Sequence, residues 1–355
     1  MKLDILRKRI EREDKFPFLL LDLVNIRYLT GFKGSSAFLL MDAERDYFIS
    51  DSRYEEYARS IIPPEMEFVL MRGTAVKTIS RIMKRRRRAR LFMEDHSTTL
   101  SQYSAYKKAL YPVELIEGGS PVNELRMEKE PGEIETIREA VTLADRCFKH
   151  ILSIVKAGML EWDLSVEIEY FYRKNGCRKT AFDSIVASGA GSSMPHYITS
   201  MTKKIENGDA LLIDMGCEYE GYNSDLTRTV FINSVDEDLN KIYGIVKEAQ
   251  ELAIEAVRPG ISCGALDSVA RGLIAAAGYG DAFGHSLGHG VGMEVHEIPA
   301  IKSGGRTKLR KNTVITVEPG IYIPGKGGVR IEDVVLVTDG GSEILTKSSK
   351  DIHIV

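Results

Sequence analysis

The sequence predicts an α+β protein in two parts, a smaller α/β domain over residues 1–120 and a larger α+β domain over 121–355. Three observations predict it. Short apolar runs alternate with segments of helical period in the first 120 residues, the pattern of α/β folds. After residue 130, helices and strands come in blocks, which favours a mixed or antiparallel sheet. Between the two lies Ile116-Glu117-Gly118-Gly119-Ser120-Pro121, a cluster of chain breakers too short to be a free linker. A chain of 355 residues suffices for two domains, each able to bury a core without disulfide or metal staples.

In the first part, KFPFLLLDL reads as a buried strand. SSAFLLMD and RDYFISD read as two strands joined by a turn at Asp42-Ala43-Glu44. SRYEEYARSII has apolar positions at helical spacing, and VKTISRIMKRRRRARLFME reads as a helix running into a strand. Within it, residues 84–90 form the run KRRRRAR. We read this run as a solvated helix end, where cations suit the negative pole of the dipole. No aromatic residues interleave with it as a nucleic-acid stacking platform requires.

In the second part, GEIETIREAVTLADRCFKHILSIVKAG is a long amphipathic helix closed by Gly158. DLSVEIEYFYRKNG is a second, with Asp163 as N-cap and Gly176 as stop. LNKIYGIVKEAQELAIEAVRPG and CGALDSVARGLIAAAG are a third and a fourth. ALLIDMG, LTRTVFI, NTVITVE and GVRIEDVVLVT read as strands. Helix–helix–strand–strand recurs, an order consistent with internal pseudo-symmetry.

Charge narrows the class. Lys and Arg number 48 against 51 Asp and Glu, a formal net charge of -3. Residues 1–120 are net basic and 121–355 net acidic, so the second part is the home for bound cations. No domain-wide basic excess marks a nucleic-acid binder. The cysteines, Cys147, Cys177, Cys217 and Cys263, include no CxxC, which argues against a zinc ribbon or a secreted disulfide scaffold. MKLDILRKRIEREDK is too charged for a signal-peptide core, and no apolar run reaches the roughly 18 residues that span a bilayer. A cytoplasmic enzyme without membrane partners is the expectation.

Chemistry enters where carboxylates interrupt apolar strands, a costly placement unless their charge is compensated. Asp214 interrupts ALLIDMG, Asp225 opens the strand SDLTRTVFI, Glu318 ends NTVITVE and Glu332 interrupts VRIEDVVLV. CEYEGYNS allows a hairpin that sets Asp214 and Asp225 on neighbouring strands. Glu332 shares a strand face with Arg330, because side chains alternate with period two, so Arg330 could orient a metal-bound or neighbouring carboxylate. Three of seven histidines, His285, His289 and His296, fall in FGHSLGHGVGMEVHE, whose glycines argue against a helix. Four carboxylates and one imidazole suit two divalent ions, which lower the pKa of a bridging water toward neutrality. Oxygen-rich ligation with one nitrogen suits Mn²⁺, Co²⁺, Fe²⁺ or Zn²⁺.

The ordered motifs LIDMG, SDLTRT, GHGVGMEVHE, TVEPGIY and GVRIEDVVLV resemble the pita-bread-fold metallopeptidases, a group with prolidase, aminopeptidase P, methionine aminopeptidase and creatinase. NIRYLTGFKGSSAFLL and DSRYEEYA resemble the creatinase-type N-terminal domain of prolidase and aminopeptidase P. The resemblance implies a pita-bread catalytic domain behind a smaller creatinase-like α/β domain. It also implies two metal ions, Mn²⁺ or Co²⁺ foremost, held by Asp214, Asp225, His289, Glu318 and Glu332. His196 in SMPHYIT, His285 and His296 match substrate-side histidines, and His296 is placed to steady the tetrahedral intermediate. Glu318 matches the proton shuttle. One departure is local: the family often has a proline shortly after the His196 position, where this chain has Ile198-Thr199-Ser200.

A metal-bridging hydroxide would then attack the scissile carbonyl. The complete ligand set argues against creatinase-type activity, and the large first domain against methionine aminopeptidase. Prolidase, cleaving Xaa-Pro dipeptides, is the expected activity, and aminopeptidase P, acting on longer Xaa-Pro peptides, is the alternative. A dipeptidase must recognise a terminal carboxylate, best done by an arginine fork. Arg306 lies where prolidases tend to place such a residue, and it is counted with Arg330 on the substrate side. A non-catalytic protein-binding scaffold, docking through residues 84–90, is a reading of another class, against which the intact ligands speak. The resemblance also implies a homodimer.

Overall fold

In the computed structural model, which describes residues 2–355, the apolar runs of the first unit pair into one six-stranded sheet. Its strands are β1 (Phe18–Leu20), β2 (Phe38–Met41), β3 (Tyr47–Ser50), β4 (Glu67–Leu70), β5 (Arg90–Glu94) and β6 (Glu114–Gly119), in the order β4-β3-β2-β1-β5-β6. Helices α1 (Lys2–Arg12), α2 (Leu23–Thr30), α3 (Glu55–Ile61), α4 (Ala75–Arg85), α5 (Leu100–Leu110) and α6 (Pro121–Met127) accompany it. The alternation read from the sequence is therefore an α/β layer.

The basic run continues past the end of α4, and its charges are engaged locally. Arg86 donates to the Tyr47 hydroxyl at 2.6 Å and pairs with Glu44. Arg88 forks onto Asp42 at 2.6 and 2.9 Å, and Arg90 reaches Asp14 at 2.7 Å. The Arg86 and Arg88 contacts tie the helix end to the β2–β3 hairpin.

The breaker cluster has a structural use within the sheet. A Cβ at Gly118 would stand 2.5 Å from the Phe18 ring and 2.7 Å from the Met93 carbonyl oxygen. Gly119 adopts φ +78°, a left-handed conformation that favours glycine, and gives its N–H to Asp95. The sequence reading divides the chain at 120/121; the compact units meet in sequence between Arg126 and Met127, the second being Met127–Val355.

The second unit holds α7 (Pro131–Ile154), α8 (Glu161–Lys174), α9 (Glu237–Ala256) and α10 (Cys263–Ala276). Asp163 does not cap α8. The Leu160 and Glu161 backbones are held by Lys204 and Lys203, so the helix starts earlier. Asp163 then sits in the first turn, where its carboxylate accepts the Leu160 N–H at 3.2 Å.

Its strands are β7 (Lys179–Thr180), β8 (Ile185–Ser188), β9 (Ala210–Met215), β10 (Cys217–Tyr219), β11 (Tyr222–Asn223), β12 (Leu226–Phe231), β13 (Gly288–Gly290) and β14 (Glu297–Ile301). They continue as β15 (Val314–Val317), β16 (Gly320–Ile323), β17 (Gly327–Arg330), β18 (Asp333–Val337) and β19 (Ser342–Ile344). Two sheets matter for the site, β12-β9-β8 and β14-β13-β15-β18-β19. The first packs under α7 and α8 through Phe148, Leu164, Ile168, Leu211, Ile213 and Val230. The second packs under α9 and α10 through Val246, Leu266, Ile274, Ile315, Val317 and Val335. Ile137 and Val141 of α7 also reach Val314, Val334 and Leu336 of the second sheet.

GVRIEDVVLVT is two strands rather than one. β17 pairs with β16, whereas β18 pairs with β15. Ile331 and Glu332 make the crossing, with the Glu332 N–H on the Thr227 carbonyl at 3.1 Å. The shared face expected for Arg330 and Glu332 from unbroken alternation does not apply.

A buried arginine ties this crossing to the end of the chain. Arg228, wholly buried, donates from Nη2 to Asp333 Oδ1 at 2.7 Å and from Nη1 to the Thr227 and Glu332 carbonyls. It also donates to the carbonyls of Ser348 and Ser349 at 2.8 and 3.0 Å. Beyond them, residues 353–355 exchange backbone hydrogen bonds with Phe231 and Asn233. All four cysteines are free and buried, and no helix among the described residues is long and apolar enough to cross a membrane. We expect Arg228→Met to strip Asp333 of its main cation and destabilise the protein by about 3–5 kcal/mol, read by chemical denaturation.

Candidate metal centre

Strand alternation delivers the first carboxylate. On β9, Leu211, Ile213 and Met215 join the core under α7 and α8, so Leu212 and Asp214 face the other way. Antiparallel register sets Thr227 of β12 opposite Asp214. Asp225 stands one residue before β12, after the β10–β11 hairpin returns the chain. His289 is the middle residue of β13, flanked by glycines that allow close approach. A Cβ at Gly288 would lie 2.1 Å from the Thr316 carbonyl oxygen, and one at Gly290 2.4 Å from that of Ile298. Glu318 directly follows β15, and Glu332 occupies the β17–β18 crossing.

These five side chains converge. Asp225, His289 and Glu332 each offer a ligand atom within 4.8 Å of the other two, the spacing of a metal-binding group. His289 Nε2 is 3.6 Å from Asp225 Oδ2 and 3.3 Å from Glu318 Oε1. Asp214 is joined through Arg330, whose Nη2 donates to Asp214 Oδ2 at 2.6 Å. Arg330 Nε donates to the Thr227 hydroxyl at 3.0 Å, and that hydroxyl donates to Glu332 Oε2 at 2.7 Å.

The charges do not balance within the protein. Burial and the neighbouring charges of Glu332, Asp214 and Glu318 push the Asp225 carboxyl well above its usual range. Glu332 is raised likewise by burial and by Glu318 and Asp214. Burial also raises Asp214, against the pull of Arg330. Burial raises Glu318 as well, but the hydrogen bond and charge of His289 outweigh it and leave the group lowered. Asp214 Oδ1 and Glu332 Oε1 are buried without a hydrogen-bond partner. The backbone carbonyl of Gly290 can only accept, so His289 Nδ1 at 3.1 Å donates to it. Nε2 then faces two carboxylates, an arrangement that needs either a proton on Nε2 or a cation between them. Hard oxygen donors with one imidazole fit divalent metal ions.

The other histidines fall around this cluster in different ways. The His296 ring meets the His289 ring at 4.3 Å and stays exposed on its outer side. Burial lowers its pKa, as does the charge of His289. His196 is exposed on the loop after β8, and its charge is felt by both His285 and His296. His285 has both ring nitrogens engaged: Nδ1 donates to the Ser286 carbonyl at 2.8 Å, and Nε2 meets the Tyr322 hydroxyl at 2.9 Å. Arg330 is buried, with Nε, Nη1 and Nη2 already donating to Thr227, Tyr322, Pro195 and Asp214. It is a strut for Asp214 rather than an open anchor. Arg306 is exposed on the segment whose Gly305 and Thr307 carbonyls accept from the start of α10. No hydrogen bond or ion pair among the described residues joins it to the cluster.

Three supporting residues carry no charge at neutral pH and escape a search for carboxylates and histidines. Thr227 links Arg330 to Glu332. Thr316 accepts the His289 N–H and donates to Glu318 Oε1, both at 3.0 Å. Tyr322 accepts from Arg330 Nη1 at 3.0 Å and so turns its proton toward His285. The strand register opposite Asp214 is the one sequence signal that points to Thr227.

Comparison with known proteins agrees with this geometry. Residues 135–339 match metallopeptidase family M24, and residues 2–128 match the creatinase/prolidase N-terminal domain. An Xaa-Pro dipeptidase of Pyrococcus furiosus is 47% identical over 231 residues, 65% of this chain and 66% of the relative. The solved structure of an Xaa-Pro dipeptidase from Bacillus anthracis superposes with a TM-score of 0.96 at 39% identity, over 100% of this chain and 99% of that one. An X-Pro aminopeptidase from Thermotoga maritima gives a TM-score of 0.87 at 37% identity, over 98% and 100%.

The charge imbalance predicts opposite effects of one substitution. Glu332→Gln should raise the melting temperature of chelated protein, by relieving repulsion worth about 1–3 kcal/mol. It should abolish most of the stabilisation that divalent metal confers on the native chain. Thermal melts with and without chelator check both.

Proposed function

We propose that this chain, which belongs to metallopeptidase family M24, hydrolyses Xaa-Pro dipeptides with two divalent metal ions held by Asp214, Asp225, His289, Glu318 and Glu332. The single observation that carries the metal reading is the set of buried carboxylates whose charge the protein itself does not compensate. The prolidase reading rests on relatives named as Xaa-Pro dipeptidases. Bound there, divalent ions would supply the Lewis acidity that activates water and polarises the scissile carbonyl. Mn²⁺ or Co²⁺ suits the donor set best.

The chain's own groups do the rest. Thr316 holds Glu318 at Oε1, leaving Oε2 to take the proton of the attacking water and deliver it to the departing prolyl nitrogen. His296, beside His289 and open to the solvent side, donates to the oxyanion that develops on the carbonyl. His196 borders the substrate. His285 acts through Tyr322, whose hydroxyl is shared with Arg330. A prolyl nitrogen carries no hydrogen, so a site that reads the bond by charge rather than by backbone pairing suits this substrate.

Aminopeptidase P is the second reading. It is favoured by the near full-length likeness to the Thermotoga enzyme and by the exposure of Arg306, which no hydrogen bond or ion pair among the described residues joins to the cluster. Free cysteines suit a reducing cytoplasm. The homodimer is part of this proposal and is checked by sedimentation.

Chelation should abolish turnover, and divalent metal should restore it. Xaa-Pro should be cleaved faster than Xaa-Pro-Xaa, and equal or faster tripeptide turnover would establish aminopeptidase P instead. Arg306→Ala should raise KM for dipeptides alone; an unchanged KM removes Arg306 from the site. His296→Ala should lower kcat by about 10²–10³-fold with metal content intact, measured by steady-state kinetics and elemental analysis.

A further inference from the structure

The turn that carries His296 is anchored by a buried ion pair that the chemistry above does not use. Lys129 lies between α6 and α7, and its Nζ is 3.2 Å from Glu297 Oε2. The two side chains are only 1% and 4% exposed. Burying such a pair is a weak source of stability, because desolvation offsets the Coulombic attraction. Fixing one conformation is the use that remains, and the surroundings indicate which one.

Glu297 opposes Gly290 in the β13–β14 register, and that register slips between His289 and Gly290. Glu297 Oε1 accepts the Glu294 N–H at 3.1 Å. A Cβ on Gly292 would stand 2.6 and 2.7 Å from the two Glu297 carboxylate oxygens, so the carboxylate fills space that only glycine leaves. The Gly292 carbonyl accepts from the Asn223 N–H and Nδ2 at 2.8 and 3.1 Å, two residues before Asp225. Lys129 is itself held by its N–H on the Asn312 carbonyl at 2.9 Å, two residues before β15. The ion pair therefore joins the chain entering α7, the chain entering β15 and the 291–297 turn. His296 is the residue next to Glu297.

We propose that Lys129 and Glu297 are positioning residues for the hydrolysis, holding the 291–297 turn so that the His296 ring stands beside His289 and faces the scissile carbonyl. This rests on the role given to His296 under the proposed function. Neither residue touches substrate. Loss of the pair lets the imidazole drift, and small misplacements of a transition-state donor lower the rate without weakening ground-state binding.

The test uses the full-length, metal-loaded protein on an Xaa-Pro dipeptide. Lys129→Met should lower kcat about 10–100-fold while KM and metal content stay within about twofold. Lys129→Arg should recover most of the loss. In a His296→Ala background, Lys129→Met should cost nothing further, because the two changes remove one effect. An equal loss in both backgrounds would mean a purely structural role and overturn the proposal. A second readout does not need turnover. In zinc-loaded protein, the ¹⁵N imidazole signal of His296 should move in Lys129→Met while that of His150 stays. An unmoved His296 signal refutes the positioning role even if the native protein proves inert on proline peptides, an outcome that would count only against the proposed activity. Should Lys129→Met not fold, Glu297→Gln carries the same measurements.

Discussion

Four carboxylates gathered opposite one arginine, Asp225 and Glu332 buried and Asp214 and Glu318 half-buried, are the constraint around which the second unit is organised. Such a cluster is unfavourable by itself, since each acid raises the cost of ionising its neighbours. The rest of the fold works against that repulsion. Arg330 offsets one charge and positions Asp214. Thr227 and Thr316 supply hydrogen bonds to Glu332 and Glu318 without adding charge. The helix pairs α7/α8 and α9/α10 pack on the two sheets from which the acids project. What stays unbalanced is left for a bound cation, which turns a liability in the empty protein into affinity for the loaded one.

Much of this was legible in the chain. The four acids announced themselves as polar interruptions of apolar strands, and each does lie in or beside a strand of the second unit. The glycine-rich setting of His289 correctly spoke against a helix. β9 and β12 pair as their hairpin spacing required. The two-part organisation was also legible, because alternation and block order are local patterns that survive folding.

Other features were hidden for identifiable reasons. The Arg330–Glu332 relation rests on an unbroken strand, yet the chain crosses there from the β16–β17 ribbon to the five-stranded sheet, and no residue type marks a crossing made by apolar and acidic residues. Asp163 looked like a cap because Asp favours that position; backbone pairing by Lys203 and Lys204 started the helix earlier. Gly118 and Gly119 read as a boundary although one is a packing contact and the other a turn within the sheet. Lys129 and Glu297 are ordinary surface-type residues in a linear reading, and their burial arises only from contacts spanning 168 positions. Long-range pairing of this kind is what a single sequence conceals most completely.

The Arg228 network has a bearing on biosynthesis. The arginine that braces the strand crossing at Glu332 is satisfied in part by carbonyls of residues 348 and 349, and residues 353–355 line the neighbouring strand. On the ribosome, Asp214 and Asp225 are made well before that segment. Arg228 and Ser348 stand 120 positions apart, so the brace on the Glu332 crossing is completed only once residues 348 and 349 have been made.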